Sequence, residues 1–507
     1  MQNILGTNRP GLSLTHLVVS AVSAPQNSPH KRIAEEQGNV VNNPLHLSLF
    51  ELYTAFRNGN LTAGDLTEQA IAKHNSTLGA YKYWQPQDAR SAAARADASF
   101  SAGEDHGLLQ GIPVSVKDLY NVDGLQTFAG SPVSIPDTLM AQGPVITGLD
   151  EQQAVFIGKT HTVEFAFGGL GVNNHWGTPR NPWDSTAYRV PGGSSSGAGV
   201  SLQEGTALLA LGSDTAGSVR IPASMTGNVG LKTSFGRWSL EGIFPLSPTL
   251  DTAGILTRTV ADAVFSFAAM DPEHQGRALK FVDQASHCTT GDFVIGRGES
   301  VLWEECDSGI VESVETALDE LSQKGVRVTD ARLPEVGDAI ELLKAGNVTA
   351  AEIHEFLSSK MPEWLEMLDP LVSQRILGGA SMSATEYLKR RRHINQLQLS
   401  ANARFESNDV IVSPTVPITP PKLDDVQQVD RYRPLNLMSL RNTCSGNTLG
   451  LCSLTLPVGL DTAGLPVGLQ IMARHGAEEK LLAIALCIEK VIGTSKDRLG
   501  TPPIPPL

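Results

Sequence analysis

Two short runs of glycine and serine, Gly192-Gly193-Ser194-Ser195-Ser196-Gly197 and Asp214-Thr215-Ala216-Gly217-Ser218, stand either side of an apolar segment. Gly/Ser runs often serve as flexible linkers. These two are set between apolar segments with strand or helix character, which makes them tight turns inside a core. Upstream, the apolar run Ile112-Pro-Val-Ser-Val ends in Lys117 and Asp118. Two serines on Gly-rich turns and a lysine at a strand end can activate a hydroxyl without histidine or metal, and the combination points to acyl transfer.

Strand and helix patterns alternate over most of the length. Helices are expected over 47–74 (two, broken at Asn58-Gly59-Asn60, with Thr62 capping the second), 88–100, 196–204, 259–270, 308–323 and 478–491. A helix starting near Gly217 is limited by Pro222 to an early-turn position. Strands are expected at 112–116, 154–157, 207–211, 292–295, 326–328, 410–412 and 467–472. The reading is one large α/β domain over 46–507, a mixed central sheet flanked by helices, with a mainly helical insertion near 335–406. Residues 1–45 read as an N-terminal arm. The stretch Leu12–Ala24 ends in Val22-Ser23-Ala24, which faintly resembles a signal-peptidase site, but only Arg9 precedes it and polar residues interrupt it. The basic run Lys389-Arg390-Arg391-Arg392-His393 reads as a solvated helix face.

The net charge of −14 disfavours an extended nucleic-acid surface. Five scattered cysteines without a CxxC pair argue against zinc or dithiol chemistry and suit a reducing compartment. No apolar run approaches the roughly 18–20 residues that span a bilayer. A cytoplasmic enzyme is expected, with secretion the minor alternative.

Gly193-Ser194-Ser195-Ser196-Gly197 also matches GxSxG, the nucleophile elbow of α/β-hydrolases. That reading makes Ser195 the nucleophile and needs a later histidine, for which His354, His393 and His475 are available. Against it, Arg189-Val190-Pro191-Gly192 precedes the turn where an elbow needs a strand. A phosphate cradle is the weaker competitor, since neither GxxxxGK[ST] nor GxGxxG is present.

The favoured reading uses Lys117, Ser194 and Ser218. Desolvation at the end of a buried strand would leave Lys117 able to act as a base. Strand alternation should aim Asp118 the other way. The backbone N–H groups of Thr215, Ala216, Gly217 and Ser218 can converge on a carbonyl oxygen, and Arg220 could brace Asp214 across the turn.

The chain resembles the amidase-signature hydrolases. The segments that carry the resemblance are LLQGIPVSVKDLYNV around Lys117, FIGKTHTVEFAFG, GTPRNPWD, the Ser-rich block and GLPVGLQIM. The interval from Ser194 to Ser218 equals that between the family's two catalytic serines. The resemblance implies Lys117 as base, Ser194 as bridging serine at a cis peptide and Ser218 as nucleophile, with no cofactor and no metal. It implies a small-molecule amide-type substrate; esters, carbamates and ureides present the same carbonyl. Departures from the family pattern are Ala216, Phe128, His161 and Gln203. Phe128 and Gly193, with residues 168–183 and 438–448, are the expected pocket wall. The alternative within the family is the amidase component of a glutamine-dependent tRNA amidotransferase, which works in a complex. A homodimer is left open, and a non-catalytic scaffold is set aside because all three catalytic positions are filled.

Overall fold

The run Pro113–Lys117 is buried at every position, as expected of a strand covered on both faces. It is β2 of an eleven-stranded mixed sheet. The computed structural model describes residues 43–504. The signal-like stretch, and the arm expected over 1–45 apart from its last three residues, lie outside the described residues.

The remaining strands are β1 (Tyr81–Trp84), β3 (Val155–Thr160), β4 (Leu209–Asp214), β5 (Val229–Lys232) and β6 (Thr252–Thr257). They continue with β7 (Val294–Arg297), β8 (Arg327–Asp330), β9 (Val410–Pro414), β10 (Cys452–Leu460) and β11 (Pro466–Ala473). Their order across the sheet is β1-β3-β2-β4-β6-β5-β10-β11-β9-β7-β8. Strands β3, β2 and β4 run parallel, as do β9, β7 and β8, and the other neighbours pair antiparallel. Residues 43–504 thus make a single large α/β domain.

Helices cover both faces. Ser48 and Thr62 cap the first two, Leu49–Arg57 and Ala63–Ile71, by accepting backbone N–H bonds. The helix Ser196–Glu204 packs on β4 and β2, and its Gln203 amide donates to Gly227 O at 3.0 Å. Four helices, Glu335–Lys344, Thr349–Lys360, Pro370–Gly378 and Ala384–Asn402, lie between β8 and β9. The basic run on the last of these is only partly a solvated face. Lys389 and Arg392 are exposed, while Arg390 turns inward to the carbonyls of Ala345 and Asn347 at 2.9 and 2.7 Å. Among the described residues no helix is long and apolar enough to cross a membrane.

The register matters for the site. Val114 pairs with Leu209 and Val116 with Leu211 in the parallel β2–β4 ladder. Lys117 and Asp214 therefore arrive at the same carboxyl edge of the sheet, the edge where open α/β sheets present their ligands.

Candidate active site

Lys117 is fully buried. Its Nζ lies 2.8 Å from Ser194 Oγ, 3.0 Å from Ser213 Oγ and 3.4 Å from Ser213 O. No carboxylate among the described residues forms an ion pair with it. Burial draws its pKa from the ordinary 10.5 down to about 7, against a weaker upward pull from Asp214 and Asp251. Asp118 points away from this amine and pairs with Lys159 Nζ at 2.7 Å.

Ser194 follows a cis peptide from Gly193. Its carbonyl accepts the N–H groups of Val163 and Ser196 at 3.2 and 2.8 Å. The next residue joins the two Gly/Ser turns, because the Ser195 N–H donates to Ser218 O at 3.2 Å. Ser195 Oγ donates to Ser213 O at 3.4 Å, and no histidine among the described residues bonds it. His393 faces Asp338 and His475 Nδ1 faces Gly450 O, so the elbow reading lacks its imidazole.

The second turn is fixed by Asp214. Its Oδ1 accepts Gly217 N–H (2.7 Å) and Arg220 Nη2 (3.0 Å), and its Oδ2 accepts Val219 N–H (3.0 Å) and Arg220 Nε (3.1 Å). Burial alone would raise this carboxyl; the Arg220 guanidinium outweighs it and holds the pKa at about 2. Arg220 also reaches Thr443 O, Gln470 Oε1 and Asn447 Oδ1 at 2.8, 2.6 and 2.6 Å. Thr443 Oγ1 donates to Ala216 O at 2.7 Å, and Thr215 Oγ1 donates to Asp251 Oδ1 at 2.6 Å. Gly217 sits at φ +138°, where a Cβ would come 2.1 Å from Thr443 Oγ1. Of the four N–H groups expected to face a carbonyl oxygen, that of Gly217 is already donated to Asp214. Those of Thr215, Ala216 and Ser218 have no acceptor among the described residues.

Thr215, Ala216 and Ser218 border a cavity of about 890 Å³. Lys117 and Ser194 lie behind Ser218, outside its lining. The lining only partly overlaps the expected wall. Phe128 packs with Tyr83, Trp176 and Lys82 away from the cavity, and its N–H donates to Asp118. Gly193 is buried against Gly171. Of the expected segments, Gly168, Leu440 and Cys444 reach the lining.

Most of the wall comes instead from residues 343–350 and 374–390, on the helices between β8 and β9, and from 433–437. Arg375 is the member of this wall that sequence reasoning overlooked. A signal was present: Arg375 falls on the same helical face as the buried Leu371, Val372 and Ile376.

Comparison with known proteins agrees with this geometry. The sequence matches the Amidase family profile over residues 66–482. It is 47% identical over 466 residues to a 2-amino-5-chloromuconic acid deaminase of Comamonas testosteroni, covering 91% of this chain and 100% of that one. It is 32% identical over 485 residues to a glutamyl-tRNA(Gln) amidotransferase subunit of Symbiobacterium thermophilum, covering 88% and 96%. The fold superposes on a crystal structure described as an amidase with a TM-score of 0.76 at 28% identity, covering 88% and 100%. A match of this extent, on a chain whose buried lysine and two serine turns share one sheet edge, places the protein in the amidase family, as a hydrolase of carbon–nitrogen bonds.

Proposed function

We propose that Ser218 is the nucleophile, Ser194 the proton bridge and Lys117 the base. Neutral Lys117 takes the proton of Ser194, which takes that of Ser218 as its Oγ attacks the substrate carbonyl carbon. The C=O pair moves onto oxygen, and the N–H groups of Thr215, Ala216 and Ser218 stabilise the oxyanion. Collapse of this intermediate breaks the C–N bond, Ser194 passing its proton to the leaving nitrogen and recovering one from Lys117. Water then hydrolyses the acyl-enzyme by the reverse relay. Asp214 and Arg220 hold the nucleophile's turn without touching substrate.

The observation that carries this reading is the 2.8 Å contact between Lys117 Nζ and Ser194 Oγ, made by an amine with no carboxylate partner among the described residues. With a pKa of about 7 the lysine is neutral in half the molecules at that pH. The test measures ammonia or leaving-group release by wild type and Ser218→Ala. The panel is a primary amide, an anilide, an aryl ester, a carbamate, glutamine and 2-aminomuconic acid. Wild-type kcat/KM should rise with pH through about 7 to a plateau, and Ser218→Ala should be inactive. Full activity in Ser218→Ala would refute the assignment.

Amides are the default substrates. The panel includes an amino-substituted diacid because the Comamonas testosteroni relative is named for 2-amino-5-chloromuconic acid. The amidotransferase reading carries less support, since that relative shares 32% identity; glutaminase activity appearing only with a partner protein would favour it. We read the chain as a cytoplasmic enzyme, monomeric or homodimeric, without a nucleic-acid partner. The acidic net charge and the free cysteines support this. We also read 46–507 as one amidase domain, with 335–406 as its helical insertion.

A further inference from the structure

Asp251 is a buried carboxylate with no part in the proton relay. The sheet register explains its place. Asp214 closes β4 opposite Thr252 of β6, so the next residue on one strand, Thr215, faces the preceding residue on the other, Asp251. The Thr215 hydroxyl donates to Asp251 Oδ1 at 2.6 Å. Asp251 Oδ2 accepts the N–H groups of Leu246 and Ser247 at 2.9 and 2.8 Å. No cation among the described residues forms an ion pair with this acid, and a buried carboxylate without one is costly. Burial draws its pKa up to about 6; the three hydrogen bonds oppose the rise and Glu352 adds to it.

The loop 246–250 is held from its other side by Glu352, on the helix Thr349–Lys360. Glu352 accepts the hydroxyls of Ser247 and Thr249, and that of Tyr387 at 2.7 Å. Arg391 Nη1 stands 3.7 Å from it. Leu246 and Leu250, on the same loop, line the cavity beside Ser218. Two carboxylates therefore run in series from the helices of the cavity wall to the turn that carries Ser218.

The Thr215 bond sets Asp251 apart from a carboxylate that merely closes its own loop. Thr215 leaves its N–H without an acceptor among the described residues, so its hydroxyl anchors it. Asp251 also stands near the base. Asp251 and Ser213 border one small cavity of about 140 Å³, and Ser213 Oγ lies 3.0 Å from Lys117 Nζ. Against the dominant effect of burial, Asp214 and Asp251 both pull the pKa of Lys117 upward.

We propose that Asp251 is a positioning residue for the oxyanion site: through the Thr215 hydroxyl it aims the N–H groups of Thr215 and Ala216 at the substrate oxygen. Glu352 acts one step further out, by holding the loop that carries Asp251. Neither touches substrate. The proposal rests on the assignment of Ser218 as nucleophile with these N–H groups around its oxyanion.

The test measures kcat and KM for a primary amide from about pH 5 to 9. The proteins are wild type, Thr215→Val, Thr215→Ser, Asp251→Asn, the Thr215→Val/Asp251→Asn double variant, Glu352→Gln and Ser218→Ala. Asp251→Asn and Thr215→Val should each lower plateau kcat about 10- to 100-fold, with KM within about threefold of wild type. Thr215→Ser should keep most of the activity. The double variant should be no slower than the slower single one, because both changes break the same bond. Glu352→Gln should lower kcat about 3- to 10-fold. Asp251→Asn should also move the ascending limb of kcat/KM to lower pH, since Lys117 loses one upward pull and keeps that of Asp214. Thr215→Val retains the charge and should not lower it.

A raised KM with kcat kept in Asp251→Asn would show that Asp251 only supports the cavity wall, and would overturn the proposal. So would multiplying losses in the double variant, or an ascending limb that stays in place in Asp251→Asn. If Asp251→Asn does not fold, wild-type kcat in Thr215→Val overturns it instead. Wild-type kinetics in Glu352→Gln would strike the outer carboxylate from it. Full activity in Ser218→Ala overturns the nucleophile assignment and this proposal together. With Ser218→Ala inactive, the contrary results overturn the positioning role alone.

Discussion

Replacing Lys117 with methionine should remove activity and stabilise the protein at neutral pH. The amine's pKa falls from 10.5 in ordinary lysine to about 7 in the folded chain. Between those values the unfolded chain binds more protons than the folded one, so this group makes stability rise with pH. At pH 7, each pKa unit being about 1.4 kcal/mol, holding the lysine buried costs roughly 4 kcal/mol. Methionine avoids that cost, but Ser194 Oγ, Ser213 Oγ and Ser213 O lose their amine contact. At about 1 kcal/mol for each hydroxyl, the net gain is about 1–3 kcal/mol. At pH 10 the cost has shrunk to about 1 kcal/mol, so the order should reverse. Urea unfolding of both proteins across pH 7–10 reads the crossover directly. The expected loss in kcat is about 10²- to 10⁴-fold, the usual contribution of a general base. A variant less stable than wild type at pH 7, or a stability difference independent of pH, would refute the reasoning.

Two further perturbations address the turn that carries Ser218. Arg220→Met leaves Asp214 buried without its cation and strips Thr443 O, Gln470 and Asn447 of a donor; unfolding free energy should drop by about 3–5 kcal/mol. The Asp214 carboxyl, held at about 2, contributes stability above the usual carboxylate range that is lost as pH falls towards 2. Urea midpoints at pH 7 and pH 3 should therefore show the wild-type advantage narrowing in acid. Gly217→Ala puts a Cβ against Thr443 Oγ1 at a φ of +138°, so kcat should fall at least about 10-fold with a loss of about 1–3 kcal/mol in stability. Wild-type kinetics in that variant would show the turn to be more pliant than its bonding implies.

The polar core of the site was legible because it is local. Pro113–Lys117 is a continuous buried run, and each Gly/Ser turn is a few residues long, so periodicity and turn chemistry locate them without tertiary information. The helix Ser196–Glu204 and the Thr62 cap follow from the same short-range rules. The strands that went unseen have identifiable reasons. Strand β10 carries Pro457 at a register shift, and a proline argues against a central strand. Strand β6 is Thr-Ala-Gly-Ile-Leu-Thr, which lacks the alternation of a half-buried strand because it is buried throughout. The lining of the cavity beside Ser218 departs from the expected wall for a different reason. Phe128 is close in sequence to Lys117, but Lys82, Tyr83 and Trp176 claim it. The wall that borders Ser218 is supplied from more than a hundred residues away, where only a lone arginine on an apolar helical face marks it.

The reach of Arg220 has a consequence for the order in which the protein is made. Lys117, Ser194 and Ser218 all leave the ribosome well before Thr443, Asn447 and Gln470, the residues that saturate Arg220 and clamp the turn bearing Ser218. A nascent chain therefore carries its reactive groups for most of its synthesis without the braces that position them. The turn bearing Ser218 gains its full set of bonds only once Thr443, Asn447 and Gln470 have been synthesised.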